Sequence, residues 1–166
     1  TPKGVLTELP GEGLGSRGFR RATVSAAVGR GEECKAAVAE ALFAWDIHRL
    51  AGLRVEPQGS RVELGQSVCI QLPRPLSRVT GRVVVTKLVN VPGESALTYA
   101  SAPGHPEKGW SQMRVAMGES GDVVFSVETL SRPGRWWSQL ATPISRAVQA
   151  RIARNYLAAA QTVAAR

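Results

Sequence analysis

Pro143-Ile144-Ser145-Arg146-Ala147-Val148-Gln149-Ala150-Arg151-Ile152-Ala153-Arg154-Asn155-Tyr156-Leu157 carries large apolar side chains at positions 144, 148, 152 and 156. This four-residue step begins at Leu140 and is supported by Ala147, Leu157, Ala160 and Val163, which together make one apolar stripe of an α-helix. The element opens after Ser131-Arg132-Pro133, and Pro143 marks either a kink or the first helical position behind Thr142 as cap. A helix of over twenty residues is about 30 Å long at 1.5 Å per residue, enough to lie across a whole sheet. Its stripe requires an apolar surface to cover, and the upstream sequence predicts one.

Between Leu53 and Leu130 the apolar period is two. Strands are expected at Leu53–Gln58, Ser67–Leu72, Val79–Asn90, Ala96–Ser101, Trp110–Met117 and Val123–Leu130. Gly59-Ser60, Pro73-Arg74-Pro75, Val91-Pro92-Gly93, Pro103-Gly104-His105-Pro106 and Gly118-Glu119-Ser120-Gly121 separate them, so the segment reads as an antiparallel meander. Ahead of it, Phe19–Val28 has the alternation of a strand that ends at Gly29-Arg30-Gly31. Glu32–Leu50 reads as one helix: Cys34, Val38, Ala41, Leu42 and Trp45 recur at helical spacing, acids open it, and His48 and Arg49 close it. Residues 1–17, with several glycines and Pro2 and Pro10, are expected to be an irregular arm; residues 18–166 form one domain. The order is strand, helix, six strands, long helix, which is an α+β plan with a curved antiparallel sheet wrapped around a long C-terminal α-helix.

A chain of 166 residues buries roughly two thirds of its unfolded surface, and 43% hydrophobic with 20% charged residues is an ordinary globular balance. No apolar run approaches the ~20 residues of a membrane span. Thr1-Pro2-Lys3-Gly4 begins no apolar leader, so a cytoplasmic location is expected. Cys34 and Cys69 show no metal-ligand spacing and read as small buried residues; no metal and no cofactor are expected. The net charge of +8 is concentrated at the end of the chain: Arg132 to Arg166 holds six arginines and no acid, whereas Thr1 to Ser131 holds fifteen bases against thirteen acids. That excess reads first as a solvated helix face, and second as a surface for nucleic acid, an acidic protein or an anionic membrane.

The segment Ala96-Leu97-Thr98-Tyr99-Ala100-Ser101-Ala102-Pro103-Gly104-His105-Pro106-Glu107-Lys108-Gly109 resembles the G-x-x-Y-G-T-L-P-G-H-P-E-x-G stretch of the DUF1990 family, also called UPF0548. Gly29-Arg30-Gly31 with Ala41-Leu42-Phe43-Ala44-Trp45, Leu64-Gly65-Gln66-Ser67-Val68 and Gly81-Arg82-Val83-Val84 are similar to three further stretches of that family. The resemblance runs from about Phe19 to Ala160. It implies the helix-grip fold of the START-like (SRPBCC) superfamily, with a ligand cavity between sheet and C-terminal helix. Two departures stand out: Trp110-Ser111-Gln112-Met113 where the family continues with glutamates and an aromatic, and Tyr99-Ala100-Ser101-Ala102 in place of Tyr-Gly-Thr-Leu. No catalytic set comes with the resemblance.

The residues themselves offer candidates. His105, held between Gly104 and Pro106 and beside Glu107, suits a general acid or base, or equally a turn histidine bonded to backbone. Tyr99 points either into the cavity, where a phenol can polarise a carbonyl, or to a core position with its hydroxyl at the surface. Glu128 is a proton donor if its strand face is inward; the opposite phase buries Phe125 and Val127 instead and is favoured on apolar area. His48 shares the inward face of Trp45 or makes a plain helix-dipole contact, the latter preferred. Trp136 and Trp137 form a lid, or put one ring in the core and one on its rim. Trp45, His48, Trp110, Met113, Trp136 and Trp137 are the expected ligand-lining set, and His105, Tyr99, Glu107 and Glu128 the acid-base candidates. The leading expectation is a binding protein for a hydrophobic or carbonyl-bearing, lipid- or polyketide-like compound, with cyclisation, dehydration or isomerisation as the possible chemistry. The competing expectation is a non-catalytic module docking through Arg146, Arg151 and Arg154.

Overall fold

The computed structural model describes residues 7–9, 19–105, 107–133 and 142–166; of Thr7–Leu9, Glu107, Pro133 and 142–145 only the backbone is described. The elements are β1 (Thr7–Leu9), β2 (Arg20–Arg30), α1 (Gly31–Phe43), α2 (Asp46–Leu50), β3 (Arg54–Glu56), β4 (Ser67–Gln71), β5 (Thr80–Val91), β6 (Glu94–Ser101), β7 (Glu107–Met117), β8 (Asp122–Pro133) and α3 (Thr142–Ala164). One eight-stranded antiparallel sheet has the order β1-β2-β8-β7-β6-β5-β4-β3. The meander returns its last strand to the side of β2, so the helices stay together on one face.

That face is chosen by side-chain phase. Phe125 and Val127 are buried, whereas Val124 is exposed and Glu128 pairs with Arg21 at 3.4 Å on the outer side. Burying Phe125 and Val127 removes more apolar area from water than the opposite phase would, and this sets the phase of β8. On α3, Tyr156, Leu157, Ala160 and Val163 are buried, while Arg151, Arg154 and Thr162 face solvent. The core is built by those residues with Val38 and Leu42 of α1 and with Leu97, Met113, Val115, Val123 and Phe125 of the sheet.

Three expectations require correction. The single helix over Glu32–Leu50 is two helices, broken where Trp45 takes the left-handed conformation at φ 65°. A bulky non-glycine residue adopts that conformation only when its surroundings over-determine it. Here the surroundings are the core, for Trp45 is completely buried. The N-terminal arm is not wholly irregular, because Thr7–Leu9 pairs with Arg21–Thr23 as an edge strand. The strand expected at Leu53–Gln58 shortens to Arg54–Glu56.

Candidate functional site

Along the inner face of the sheet the side chains change from apolar to polar, one register row at a time. Val24, Val127, Met113, Leu97 and Leu88 stand side by side across β2, β8, β7, β6 and β5. The next row is Ala22, Thr129, Ser111, Tyr99 and Val85. Beyond it lie Arg20, Ser131 and Gly109, with Ser101 opposite Val83. Because strand side chains alternate, each of these rows faces the helical side, with α3 over β2 and β8 and α1 over β6 and β7, and the groove ends in hydroxyls and an arginine. Thr129 and Ser111 sit 3.3 Å apart through their hydroxyl oxygens, and the Gln149 amide of α3 donates to Ser131 Oγ at 3.4 Å.

Two recesses open at this polar end. One, of about 50 Å³, lies between β2, β8 and α3, with Arg20, Val24, Val127, Thr129, Arg146 and Gln149 in its walls. The other, of about 60 Å³, is bounded by Tyr99, Ser101, His105, Trp110, Ser111 and Thr129. Thr129 belongs to both, so they are neighbouring parts of one mouth. Pockets for drug-sized ligands run to several hundred cubic ångströms, roughly 300 or more. Each of these recesses has room for only a few heavy atoms. The deep half of the groove holds Trp45, His48, Leu97, Met113 and Phe125, none of which is exposed.

Behind Tyr99 is a buried polar cluster. His48 Nε2 lies 3.3 Å from Tyr99 Oη, and the rings of Trp45 and Tyr156 stand edge-on to the imidazole at 4.9 and 5.2 Å between centroids. Tyr156 is the other tyrosine of the cluster, close enough to Tyr99 for the two phenols to influence each other's ionisation. Burial, with a smaller contribution from the charge of Arg49, pushes the His48 pKa down to about 3. Burial likewise raises Tyr99 to about 12, partly offset by Tyr156, and holds Tyr156 well above the usual phenol value. All three groups are therefore neutral near pH 7. His48 Nδ1 has no hydrogen-bond partner among the described residues. A buried ring nitrogen is less costly as an unmet acceptor than as an unmet N–H. That favours the tautomer with the proton on Nε2, directed at Tyr99. The phenol oxygen then accepts from His48, and the Tyr99 side chain also lies in the wall of the second recess.

The loop after β6 is tightly held. Ser101 Oγ accepts from Gly109 N at 2.9 Å and donates to Gly109 O at 3.2 Å; Ala102 N bonds Arg82 O and His105 N bonds Ala102 O. The His105 ring lies on Gly81 so closely that a Cβ at Gly81 would fall 2.2 Å from Nε2. Gly109, at φ 150°, is required for a related reason, since a Cβ there would meet Leu130 O at 1.8 Å. Two motif segments far apart in sequence thus meet as knob and slot: the glycine of Gly81-Arg82-Val83 and the histidine of Pro103-Gly104-His105.

Of the expected site residues, the mouth gathers Tyr99, His105 and Trp110. His48 is more deeply placed than the helix-dipole reading supposed, because α2 turns it into the core beside Tyr99. Trp45 and Met113 are core fillers that border neither recess, and Glu128 is on the opposite face of the sheet. Trp136 and Trp137 lie outside the described residues, as does the side chain of Glu107. Arg146, exposed like Arg151 and Arg154, differs from them in also lining the first recess. Missed altogether were Tyr156, Thr129, Ser111, Arg20 and Gln149. Tyr156 was legible as a phenol on the inward stripe of α3, and Thr129 becomes legible once Phe125 and Val127 fix the strand phase.

Among the described residues, no cluster of His, Cys, Asp and Glu has the grouping to hold a metal ion, and no helix is long and apolar enough to cross a membrane.

A sheet of this connectivity gripping a long C-terminal helix is the helix-grip architecture of START and Bet v1-like proteins. The chain belongs to the family described as Domain of unknown function (DUF1990), whose model matches residues 6–159. Among solved structures it is similar to truncated norcoclaurine synthase from Thalictrum flavum, at 11% identity and TM-score 0.55 over 84% of this chain and 91% of that one. Major latex-like protein 151 from Panax ginseng is similar at 10% identity and TM-score 0.54, over 84% of this chain and 96% of that one. Human STARD10 aligns at 8% identity and TM-score 0.50, over 92% of this chain and 73% of that one. At such identities the likeness is one of fold. No curated protein matches the chain in sequence.

Proposed function

We propose that this protein binds a small hydrophobic, carbonyl-bearing compound at the polar mouth of the groove, with the Tyr99 hydroxyl donating to the ligand's carbonyl oxygen. The observation that carries this reading is the meeting of the two recesses at Thr129, with Tyr99 in the wall of one and α3 over the other. The apolar part of the ligand rests on Ala22, Val24, Ala150 and Ala153, and its polar atom turns to the hydroxyl row. A neutral phenol that accepts from a buried imidazole is a good hydrogen-bond donor and a poor base, which suits recognition and carbonyl polarisation. Similar folds include a protein named as a synthase, and an acid-base step of cyclisation, dehydration or isomerisation would fall to His105. Its imidazole stands in the wall of the mouth beside Tyr99, and Tyr99 and His48 do not change charge near neutrality.

Native mass spectrometry of the purified chain, followed by amide NMR with a panel of small ketones and enones, tests the proposal. Bound mass, or shifts confined to Ser111, Thr129, Tyr99 and Gln149 and weakened in Tyr99→Phe, is expected. A chain that emerges empty and shows no shift at these amides with any member at millimolar concentration would sink it.

A further inference from the structure

We infer that the end of the molecule where the mouth opens docks on an anionic lipid bilayer. Strand register fixes what lies at that end. Gln71 pairs with Thr80, Ser101 with Val83 and Arg20 with Ser131, so the loops 72–79 and 102–105 gather there. Arg146 of α3 joins them, since it lines the first recess with Arg20 and Thr129. At the opposite end Val91 pairs with Glu94, Met117 with Val123 and Arg30 with Asp122, and Ala164 of α3 lies beside Gly29.

Charges that lack a described partner of opposite sign divide between these two ends. Arg74 and Arg78 on the loop after β4, Lys108 near the start of β7 and Arg146 are all exposed, and none is ion-paired with a described residue. Glu32, Glu33 and Glu119 are likewise exposed and unpaired among the described residues, and they stand at the far end. The acids nearer the mouth, Glu56 and Glu128, are engaged by Arg54 and Arg21. The net charge of +8 is thus polarised along the strand direction, and the dipole of α3, whose N-terminal end is at the mouth, points the same way. Leu50, 42% exposed, belongs to this end too: it precedes Ala51, whose carbonyl accepts from Asn155 of α3, and Gly52, which lies against Pro73. The cations stand on separate elements around an opening. That arrangement suits a broad anionic plane, which meets them together, whereas a nucleic acid strand is held along a continuous basic groove with aromatic platforms. A bilayer is also where an apolar compound accumulates, so docking lets it enter the mouth without crossing water. This choice of surface rests on the ligand reading; the polarity of charge does not.

The test is flotation of the full chain with vesicles of phosphatidylcholine alone and with vesicles about one-third phosphatidylserine, at low and at high salt. Each cation at an anionic leaflet strengthens binding about fivefold, so a preference of roughly a hundredfold or more for the mixed vesicles is expected, lost as salt is added. Arg74→Glu/Arg78→Glu and Lys108→Glu/Arg146→Glu should each weaken it by well over about tenfold. Lys87→Glu/Arg166→Glu makes the same change of charge at exposed positions away from the mouth, one in mid-sheet and one beyond the far end of α3, and should weaken it less than about threefold. A dispersed amide spectrum checks that every variant folds. No preference for the mixed vesicles, or an equal loss in all three variants, overturns the docking. Tighter binding to an oligonucleotide than to the mixed vesicles at the same salt assigns the surface to nucleic acid and overturns it as well. Either failure leaves the amide response to ketones and enones untouched, so the two readings fall separately.

Discussion

Replacing Gly81 by alanine tests whether the His105 ring is seated as described. The new methyl carbon would lie 2.2 Å from Nε2 and 2.4 Å from Cδ2 of His105, more than an ångström inside normal contact. Gly81 does not occupy a left-handed conformation, so the backbone accepts alanine and the clash is with the ring alone. Overpacking of this kind costs about 1–3 kcal/mol. Against it, alanine in a strand gains ~0.5–1 kcal/mol over glycine. The single variant should therefore lose about 1–2 kcal/mol, read as a fall in urea midpoint at unchanged slope. In a His105→Ala background the obstacle is gone, and the same substitution should gain ~0.5–1 kcal/mol. The double-mutant cycle then gives a coupling of roughly 2 kcal/mol. Equal effects of Gly81→Ala in the two backgrounds would refute the knob-and-slot contact, and with it the claim that the strand glycine positions His105 at the mouth.

Burial of His48 makes stability depend on pH in a stated direction. Its folded pKa of about 3 lies below the ordinary 6.5, so between these values the unfolded chain binds the extra proton. Stability is then highest above 6.5 and falls as the pH drops toward 3, by up to ~1.4 kcal/mol per unit. Urea titrations at pH 7, 6, 5 and 4 should show a shallower fall in His48→Gln than in the parent; parallel curves would deny the buried neutral ring. Gly109→Ala places a methyl 1.8 Å from Leu130 O at a φ of 150°, and a loss above ~3 kcal/mol, with no cooperative thermal transition in the extreme, is expected. Ser101→Ala removes two bonds to Gly109 and should cost ~1–2 kcal/mol while speeding hydrogen exchange at Ala102 and His105; unchanged exchange would show that the clamp does not hold the loop.

The regular strands were legible because their side chains obey one period and face one partner. Val79–Asn90 was expected and Thr80–Val91 is found, and Phe125 and Val127 fixed the inward phase without coordinates. The break at Trp45 was not legible, since Phe43-Ala44-Trp45-Asp46 contains neither glycine nor proline and its helical pattern continues through it. What bends the chain there is burial of the indole, a tertiary cause. The same bend decides where His48 lies: a helix-dipole contact presumes one straight axis, while α2 has its own axis and carries the ring to Tyr99. The pairing of Thr7–Leu9 is set by the exposed edge of β2 rather than by anything local in Gly-rich sequence. The site was half legible for a related reason. Tyr99 and His105 belong to a marked segment, but Arg20, Thr129 and Gln149 become neighbours only through strand register and the lie of α3.

A helix-grip fold has a choice about the space its helix covers, and this chain has made it residue by residue. Filling the deep end with Trp45, Phe125, Met113 and Leu97 gains apolar burial, each large side chain contributing roughly 1.5–3 kcal/mol, and forgoes the long chamber that an extended acyl chain would need. The polar cluster of His48, Tyr99 and Tyr156 sits where that packed end gives way to the hydroxyl row. Three polar side chains placed there cost desolvation that apolar residues of the same shape would avoid. Their mutual bonds offset part of the cost, and the rest is explained if the phenol proton of Tyr99 has a partner that arrives from outside. The polar mouth is thus the part of the groove that packing alone does not account for, and the proposed ligand should be sought there rather than under the middle of α3.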